Sequence, residues 1–271
     1  MELWNHIYEH FNPVAFDLFG LPIHWYGMCY AFALISVYFV AIYLVKKDRL
    51  PFTKEQVDNY FFWAEIGVIL GGRIGFVLFY DTHTLWYLIH PWEIFNPFMD
   101  GQFVGIRGFS YHGGLIGFTI ASILFCKKEK INFWALMDLA AVSVGFGYFF
   151  GRIGNFLNQE LVGRTTDSIL GIYVNGALRH PSQIYEALLE GALIFIIIYS
   201  IRLKKSFDGQ LAMIYIILYG LTRSFCELYR EPDAQLGFLY GDWLTMGMLL
   251  SFAISLSGII GYKLLIPKNQ A

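Results

Sequence analysis

Apolar residues in this chain come in long blocks, over residues 22–45, 58–80, 111–126, 133–156, 184–201, 209–229 and 242–264, with polar connections between them. A helix that crosses a bilayer needs roughly 20 mostly apolar residues, because the hydrocarbon core is about 30 Å thick and each residue rises about 1.5 Å. The third block is short and the sixth carries charges, so the ends of both are soft. Inside lipid the backbone must satisfy its own hydrogen bonds, which a helix does within one segment. The pattern therefore predicts an all-α polytopic membrane protein with about seven transmembrane helices. The length suits one integral membrane domain over residues 1–271.

Three stretches outside the blocks have their own character. In residues 1–20, Trp4, Ile7, Tyr8 and Phe11 alternate with Asn5, Glu9 and Asn12, which predicts an interfacial amphipathic helix. Residues 81–110 are rich in Trp, Tyr, His and Pro and read as an outer-surface arm at headgroup level, and 157–183 as an outer-surface loop. The start lacks a basic segment followed by an apolar one, so no cleavable signal peptide is expected. No repeat is visible, which weakens a transporter built from inverted halves.

Composition agrees with membrane insertion: 56% hydrophobic and 15% charged, against about 25% charged in soluble domains. The net charge of −2 says nothing about partners, but the placement of charge sets the orientation. Lys46, Lys47, Arg49 and Lys54 follow the first block, Lys127, Lys128 and Lys130 the third, Arg202, Lys204 and Lys205 the fifth, and Lys263 and Lys268 the seventh. These twelve, which include all ten lysines, fall on one side of the predicted membrane, and the positive-inside rule makes that side cytoplasmic. The carboxyl terminus is then cytoplasmic and the amino terminus outside. Cys29, Cys126 and Cys226 lie far apart beside apolar segments and read as packing residues.

The remaining seven basic residues are all arginines: Arg73, Arg107, Arg152, Arg164, Arg179, Arg223 and Arg230. They fall inside spans or on the predicted outer face. A charge near mid-bilayer costs about 2.5–3.5 kcal/mol or more, so each needs a partner or a purpose. Structural pairing, Arg73 with Glu65 or Arg223 with Glu227, is one reading. The other is an anionic ligand approached from outside, since a guanidinium grips phosphate or carboxylate through two parallel bonds.

Three polar clusters interrupt the blocks. Gly108-Phe-Ser-Tyr-His112-Gly-Gly-Leu-Ile-Gly117 opens the third, where Gly113 and Gly117 form a helix-packing face, as Gly67/Gly71 and Gly147/Gly151 do elsewhere. His112 there is a hydrogen-bonded core histidine or a general base, and the chemistry alone leaves both open. Gly151-Arg-Ile-Gly-Asn-Phe-Leu-Asn-Gln-Glu160 closes the fourth and brings cation, amide and carboxylate together in Arg152, Asn155, Asn158 and Glu160. Tyr219, Arg223, Glu227 and Arg230 recur at i, i+4, i+8 and i+11 in the sixth, which predicts one helical face. A smaller run, Arg179-His-Pro-Ser-Gln-Ile-Tyr-Glu186, opens the fifth, with Pro181 placed as at a helix start. The bound molecule is expected to be anionic, lipidic and met at the membrane surface.

These strings, with His24-Trp-Tyr26-Gly and Gly72-Arg-Ile-Gly-Phe-Val-Leu-Phe-Tyr80, resemble in order the prolipoprotein diacylglyceryl transferase family of bacteria, across about residues 20–250. The resemblance implies seven spans with a small outer-face head and interfacial arm helices in the bacterial inner membrane. It implies transfer of diacylglyceryl from phosphatidylglycerol to the lipobox cysteine thiol of a preprolipoprotein, with release of glycerol phosphate. The implied catalytic set is His112, Arg152, Glu160, Arg223 and Glu227. The implied substrate-binding set is Tyr26, Asn155, Asn158, Gly163, Tyr219 and Arg230. One departure is Met248, where the family pattern leads one to expect Gln.

The chemistry fits these residues. Arg152 and Arg223 would hold phosphate and stabilise the charge developing on it, while Glu227 orients Arg223. His112 or Glu160 would accept the thiol proton, and the sequence does not rank them. Phosphatidylglycerol, the signal peptide and the bilayer are the expected partners; no cofactor, metal or nucleic acid is called for. The rivals are a serine hydrolase built on Ser110 and His112, and an anion or lipid transporter lined by the arginines.

Overall fold

The apolar blocks fold as long helices whose ends fall at polar punctuation. The computed structural model describes residues 2–81, 84–99, 101–103, 105–106, 108–232 and 237–267, so Arg107, Asp233 and Lys268 lie outside the described residues. Among the described residues there are seven long helices: α1 (Trp25–Lys47), α2 (Lys54–Phe79), α3 (Tyr111–Glu129), α4 (Phe133–Leu157), α5 (Ser182–Lys204), α6 (Gln210–Cys226) and α7 (Met246–Leu265). Hydroxyls cap three of them. Thr53 and Gln56 form a reciprocal capping box at α2, the Ser110 hydroxyl accepts the Gly113 N–H at 3.1 Å at α3, and Thr245 accepts that of Met248 at 3.1 Å at α7.

Five of these, α1, α2, α4, α5 and α7, are long and apolar enough to cross a membrane, which makes the chain polytopic. The other two are the blocks with soft ends: α3 closes on Lys127, Lys128 and Glu129, and α6 has 17 residues. Within α5 the hydrogen bonding changes. Ser182–Glu186 is α-helical, Ala187–Leu193 is π-helical, and Ile194–Ile201 returns to α.

The all-α expectation needs correction. Four two-stranded antiparallel hairpins occupy the connections: Val14–Leu18 with Leu21–His24, Phe98–Met99 with Gln102–Phe103, Ile172–Val174 with Ala177–Arg179, and Phe238–Tyr240 with Leu244–Thr245. The Asn175-Gly176 turn has φ of 51° and 79°, the two positive angles that a two-residue hairpin turn requires. The amino-terminal amphipathic helix is also corrected. Only Glu2–Asn5 is α-helical, a 3₁₀ turn follows at Ile7–Glu9, and the chain then enters the first hairpin. Side chains tie it to the 157–183 loop instead: Trp4 Nε1 donates to the Leu170 carbonyl at 2.9 Å, Asn5 Nδ2 to Gly171 at 2.6 Å, and Gln159 Nε2 to Phe11 at 2.9 Å.

The chain divides into two compact units, residues 51–133 and residues 1–50 with 134–271. In the smaller, α2 and α3 touch backbone to backbone. A Cβ on Gly67 would lie 2.6 Å from the Gly117 carbonyl, and Gly71 and Gly113 leave no more room. Arg73, expected to pair with Glu65, has Nε on the Ile94 carbonyl at 2.5 Å and Nη1 on that of Gly108 at 3.3 Å.

In the larger unit, Gly147 of α4 packs against the Ala33 carbonyl of α1, while a Cβ on Gly151 would point into open space. The buried carboxylate of Asp138 in α4 accepts the Gly209 and Ala212 N–H groups at 2.9 and 3.0 Å and pairs with Lys205 at 3.0 Å. It thus satisfies orphan donors at the start of α6 and complements the helix dipole there. Replacing Asp138 with Ala strands these donors and should cost about 2–4 kcal/mol. Thermal unfolding in detergent checks this as a fall of several degrees in the midpoint.

Candidate active site

Charges within apolar helices must find each other, and in the larger unit they do so where α4 ends, α5 begins and α6 ends. Glu186 is fully buried in the first turns of α5. Its Oε2 lies 2.9 Å from Arg152 Nε of α4, and its Oε1 lies 3.0 Å from Arg223 Nη1 of α6 and 3.4 Å from Arg230 Nη1. One carboxylate thus joins three guanidinium groups from three segments. Glu227 pairs with Arg223 Nη2 at 2.7 Å, and the Thr245 hydroxyl donates to its Oε1 at 3.1 Å. Gly247 lets this carboxylate lie against the start of α7, since a Cβ there would strike Glu227 Oε1.

Arg152 is held from further sides. Its Nε and Nη2 donate to the Tyr148 hydroxyl at 2.9 and 2.6 Å, and its Nη1 to Asn155 Oδ1 at 3.4 Å. Asn155 Nδ2 in turn donates to Glu160 Oε1 at 2.8 Å, so Asn155 links the arginine to the carboxylate beyond the helix end. The Tyr148 hydroxyl donates onward to Glu190 Oε2, and Glu190 Oε1 lies 3.6 Å from Arg223. Tyr219 meets Tyr148 edge to face, with centroids 5.8 Å apart.

Among the described residues, three arginines and three glutamates are joined by direct ion pairs, so their formal charges balance. Burial is graded, with side-chain exposure of 13–17% for Arg152, Arg223 and Arg230 against 0% for Glu186 and Glu190. The cations therefore retain some access to solvent and the carboxylates lie behind them. Such an arrangement presents fixed donors to an incoming anion.

Several expectations change. The face running from Tyr219 to Arg230 is not one helix, because α6 stops at Cys226 and Arg230 forms a bridge with Gly163. The turn still carries Arg230 to Glu186. Arg164 and Arg179 do not join the cluster. Arg164 donates to the carbonyls of Arg230, Asp242 and Glu227 at 2.9, 3.2 and 3.0 Å, and Arg179 binds the Gly163 carbonyl and Glu231. Both brace the loop. His180 packs edge-on against Tyr229 in the same loop, and burial pushes its imidazole below the ordinary value. Gly163 sits at the tightest point, where a Cβ would lie 2.5 Å from both the His180 and Tyr229 carbonyls.

Tyr26 is half-exposed in the first turn of α1, stacked near Tyr30, and Asn158 lies in the turn after α4. Met248 is buried with its N–H on Thr245. In the smaller unit, Ser110 is buried with its hydroxyl engaged as the α3 cap, while His112 is exposed and edge-on to Tyr111. Sequence reasoning missed Glu190 and Tyr148 and gave Glu186 no role. The signal was present, because two glutamates four residues apart inside the apolar block 184–201 lie on one face and demand cationic partners.

The family model described as prolipoprotein diacylglyceryl transferase matches residues 13–264. The chain belongs to that family. Among this family's curated members, the phosphatidylglycerol–prolipoprotein diacylglyceryl transferase of Aliarcobacter butzleri is 57% identical over 254 residues, covering 94% of this chain and 93% of the relative. That of Wolinella succinogenes is 55% identical over 267 residues, covering 98% of each. That of Campylobacter hominis is 54% identical over 270 residues, covering all of this chain and 96% of the relative.

In a diacylglyceryl transferase braced this way, Gly163→Ala should separate the loop from the turn that carries Arg230. Transfer should fall at least about 100-fold, with a lower melting midpoint, because two fixed carbonyls cannot both yield. Initial rates and unfolding of the purified variant check both effects.

Proposed function

We propose that this protein moves the diacylglyceryl group of phosphatidylglycerol onto the lipobox cysteine thiol of preprolipoproteins, the first step of bacterial lipoprotein maturation. The observation that carries this reading is the pair of arginines, Arg152 and Arg223, whose side chains are 17% and 13% exposed and which share the carboxylate of Glu186. Relatives at 54–57% identity carry the corresponding name.

The substrate is a phosphodiester whose glycerol carbon must become electrophilic. Arg152 and Arg223 hold the phosphate and stabilise charge as the carbon–oxygen bond breaks, and Arg230 adds a third cation. The sulfur–carbon bond forms as glycerol phosphate leaves with the bonding pair, and the thiol proton passes to a base. His112 and Glu160 are both candidates for that base. Glu160 already accepts a hydrogen bond from Asn155, whose own carbonyl accepts from Arg152, so it is tied to the phosphate seat. Glu227 orients Arg223; Tyr26, Asn155, Asn158 and Tyr219 line the approach, and Gly163 permits the loop.

All seven long helices cross the bilayer in this reading, with the amino terminus outside, the carboxyl terminus in the cytoplasm and the hairpins forming an outer head. The exported cysteine then meets its lipid at the outer leaflet of the inner membrane. A hydrolase built on Ser110 is disfavoured by that hydroxyl's role as a buried helix cap.

Three measurements test the proposal. Arg223→Ala should abolish transfer from labelled phosphatidylglycerol to a lipobox peptide while the protein still inserts; near-normal turnover would sink the assignment. Ser110→Ala should lose about 1 kcal/mol of stability through its cap yet retain transfer. Membrane-impermeant thiol labels should reach Asp167→Cys from the outer side of inverted-free spheroplasts, and Lys128→Cys only after permeabilisation.

A further inference from the structure

Among the described residues that are directly ion-paired, the cluster contains as many carboxylates as guanidinium groups, and this raises a problem for a site that must bind an anion. A phosphodiester carries one negative charge. The released glycerol phosphate carries up to two, so an uncompensated set of arginines would hold product more tightly than substrate.

Glu190 stands where it would correct this. It is fully buried one turn beyond Glu186; its Oε2 receives the Tyr148 hydroxyl, while its Oε1 makes no hydrogen bond and lies 3.6 Å from Arg223 Nη1. That separation from Arg223 is longer than the 3.0 Å of Glu186 or the 2.7 Å of Glu227, so Glu190 contributes charge without closing the guanidinium fork. Nor does it bind Arg152 directly, but through the hydroxyl of Tyr148, which accepts from Arg152 and donates to Glu190. The helix is shaped to bring it there. The π-helical stretch Ala187–Leu193 contains Glu190, and Gly191 beside it lets α5 approach α4, where a Cβ would lie 2.7 Å from the Phe149 nitrogen. Such stretches interrupt regular helices mainly where function requires it.

Taking the phosphate seat proposed above as its basis, we infer that Glu190 is a positioning residue that tempers the anion affinity of Arg152 and Arg223, so that glycerol phosphate can leave. It touches neither lipid nor thiol and acts through Tyr148 and Arg223.

The test is product inhibition of the full-length protein in detergent–lipid micelles, with glycerol 1-phosphate as the probe. Glu190→Gln keeps the shape and removes one charge. Its inhibition constant should fall about tenfold and its kcat should fall, while KM for phosphatidylglycerol falls or stays level. A residue of merely structural importance would weaken inhibition and raise KM, and that result, or an unchanged inhibition constant, overturns the inference. Glu190→Asp, which restores the charge, should return the inhibition constant towards the parent value; failure to do so also overturns it. If Glu190→Gln does not fold, Tyr148→Phe leaves the Glu190 carboxylate without its hydroxyl donor and bearing more fully on Arg223. Inhibition should then weaken by several-fold, and stronger inhibition overturns the proposal. Absence of inhibition in the parent protein removes the phosphate seat itself, whereas equal inhibition of parent and Glu190→Gln removes only the role given to Glu190.

Discussion

A guanidinium group inside an apolar bundle needs a carboxylate, and a carboxylate there needs cationic partners. Glu186 meets both demands at once by receiving Arg152, Arg223 and Arg230. The geometry of this end of the larger unit follows. α4, α5 and α6 must end or begin at the same depth for these side chains to meet, and the Arg230 turn must fold back over Glu186. Removing one partner from such a group leaves an uncompensated charge, which costs several kcal/mol.

The connections around the cluster serve that constraint. Arg164 gathers three carbonyls from the segment after α6, and Arg179 ties the Gly163 carbonyl to Glu231, so two cations outside the cluster fix the loop that carries the third. From the other side, Thr245 and the bare backbone of Gly247 hold Glu227, which holds Arg223. The arginines of the proposed site are therefore held by neighbours outside the cluster, as preorganised charge stabilisation requires. Asp138 does comparable work near the opposite end of α4, where a carboxylate takes the N–H groups opening α6.

The helices were legible in the sequence because lipid imposes a long apolar run, and each apolar block holds one long helix. The hairpins were less so. Their strands are two to five residues long, too short for a period to register, although Asn175-Gly176 was a readable turn. At the site, Arg152, Asn155, Glu160, Arg223 and Glu227 stood out because polar side chains in apolar surroundings are conspicuous. Their partners did not. Nothing local in the sequence links Glu186 to an arginine 34 residues before it and others 37 and 44 after it; only packing does. Arg164 and Arg179 were grouped with the ligand set for the same reason, since a carbonyl partner leaves no mark in a sequence.

The π-helical stretch of α5 divides that helix into two registers. Before it, the phase is dictated by Glu186; after it, by Ile194 and Ile198, which are both wholly buried. A regular α-helix through the same seven residues would turn one end about 100° relative to the other, one residue's worth of rotation. The extra residue acts as a gear between two surfaces that could not otherwise both be satisfied. It follows that deletions within 187–193 and point substitutions there are different kinds of change, the first disengaging one end of the helix from the other while the second leaves the coupling intact.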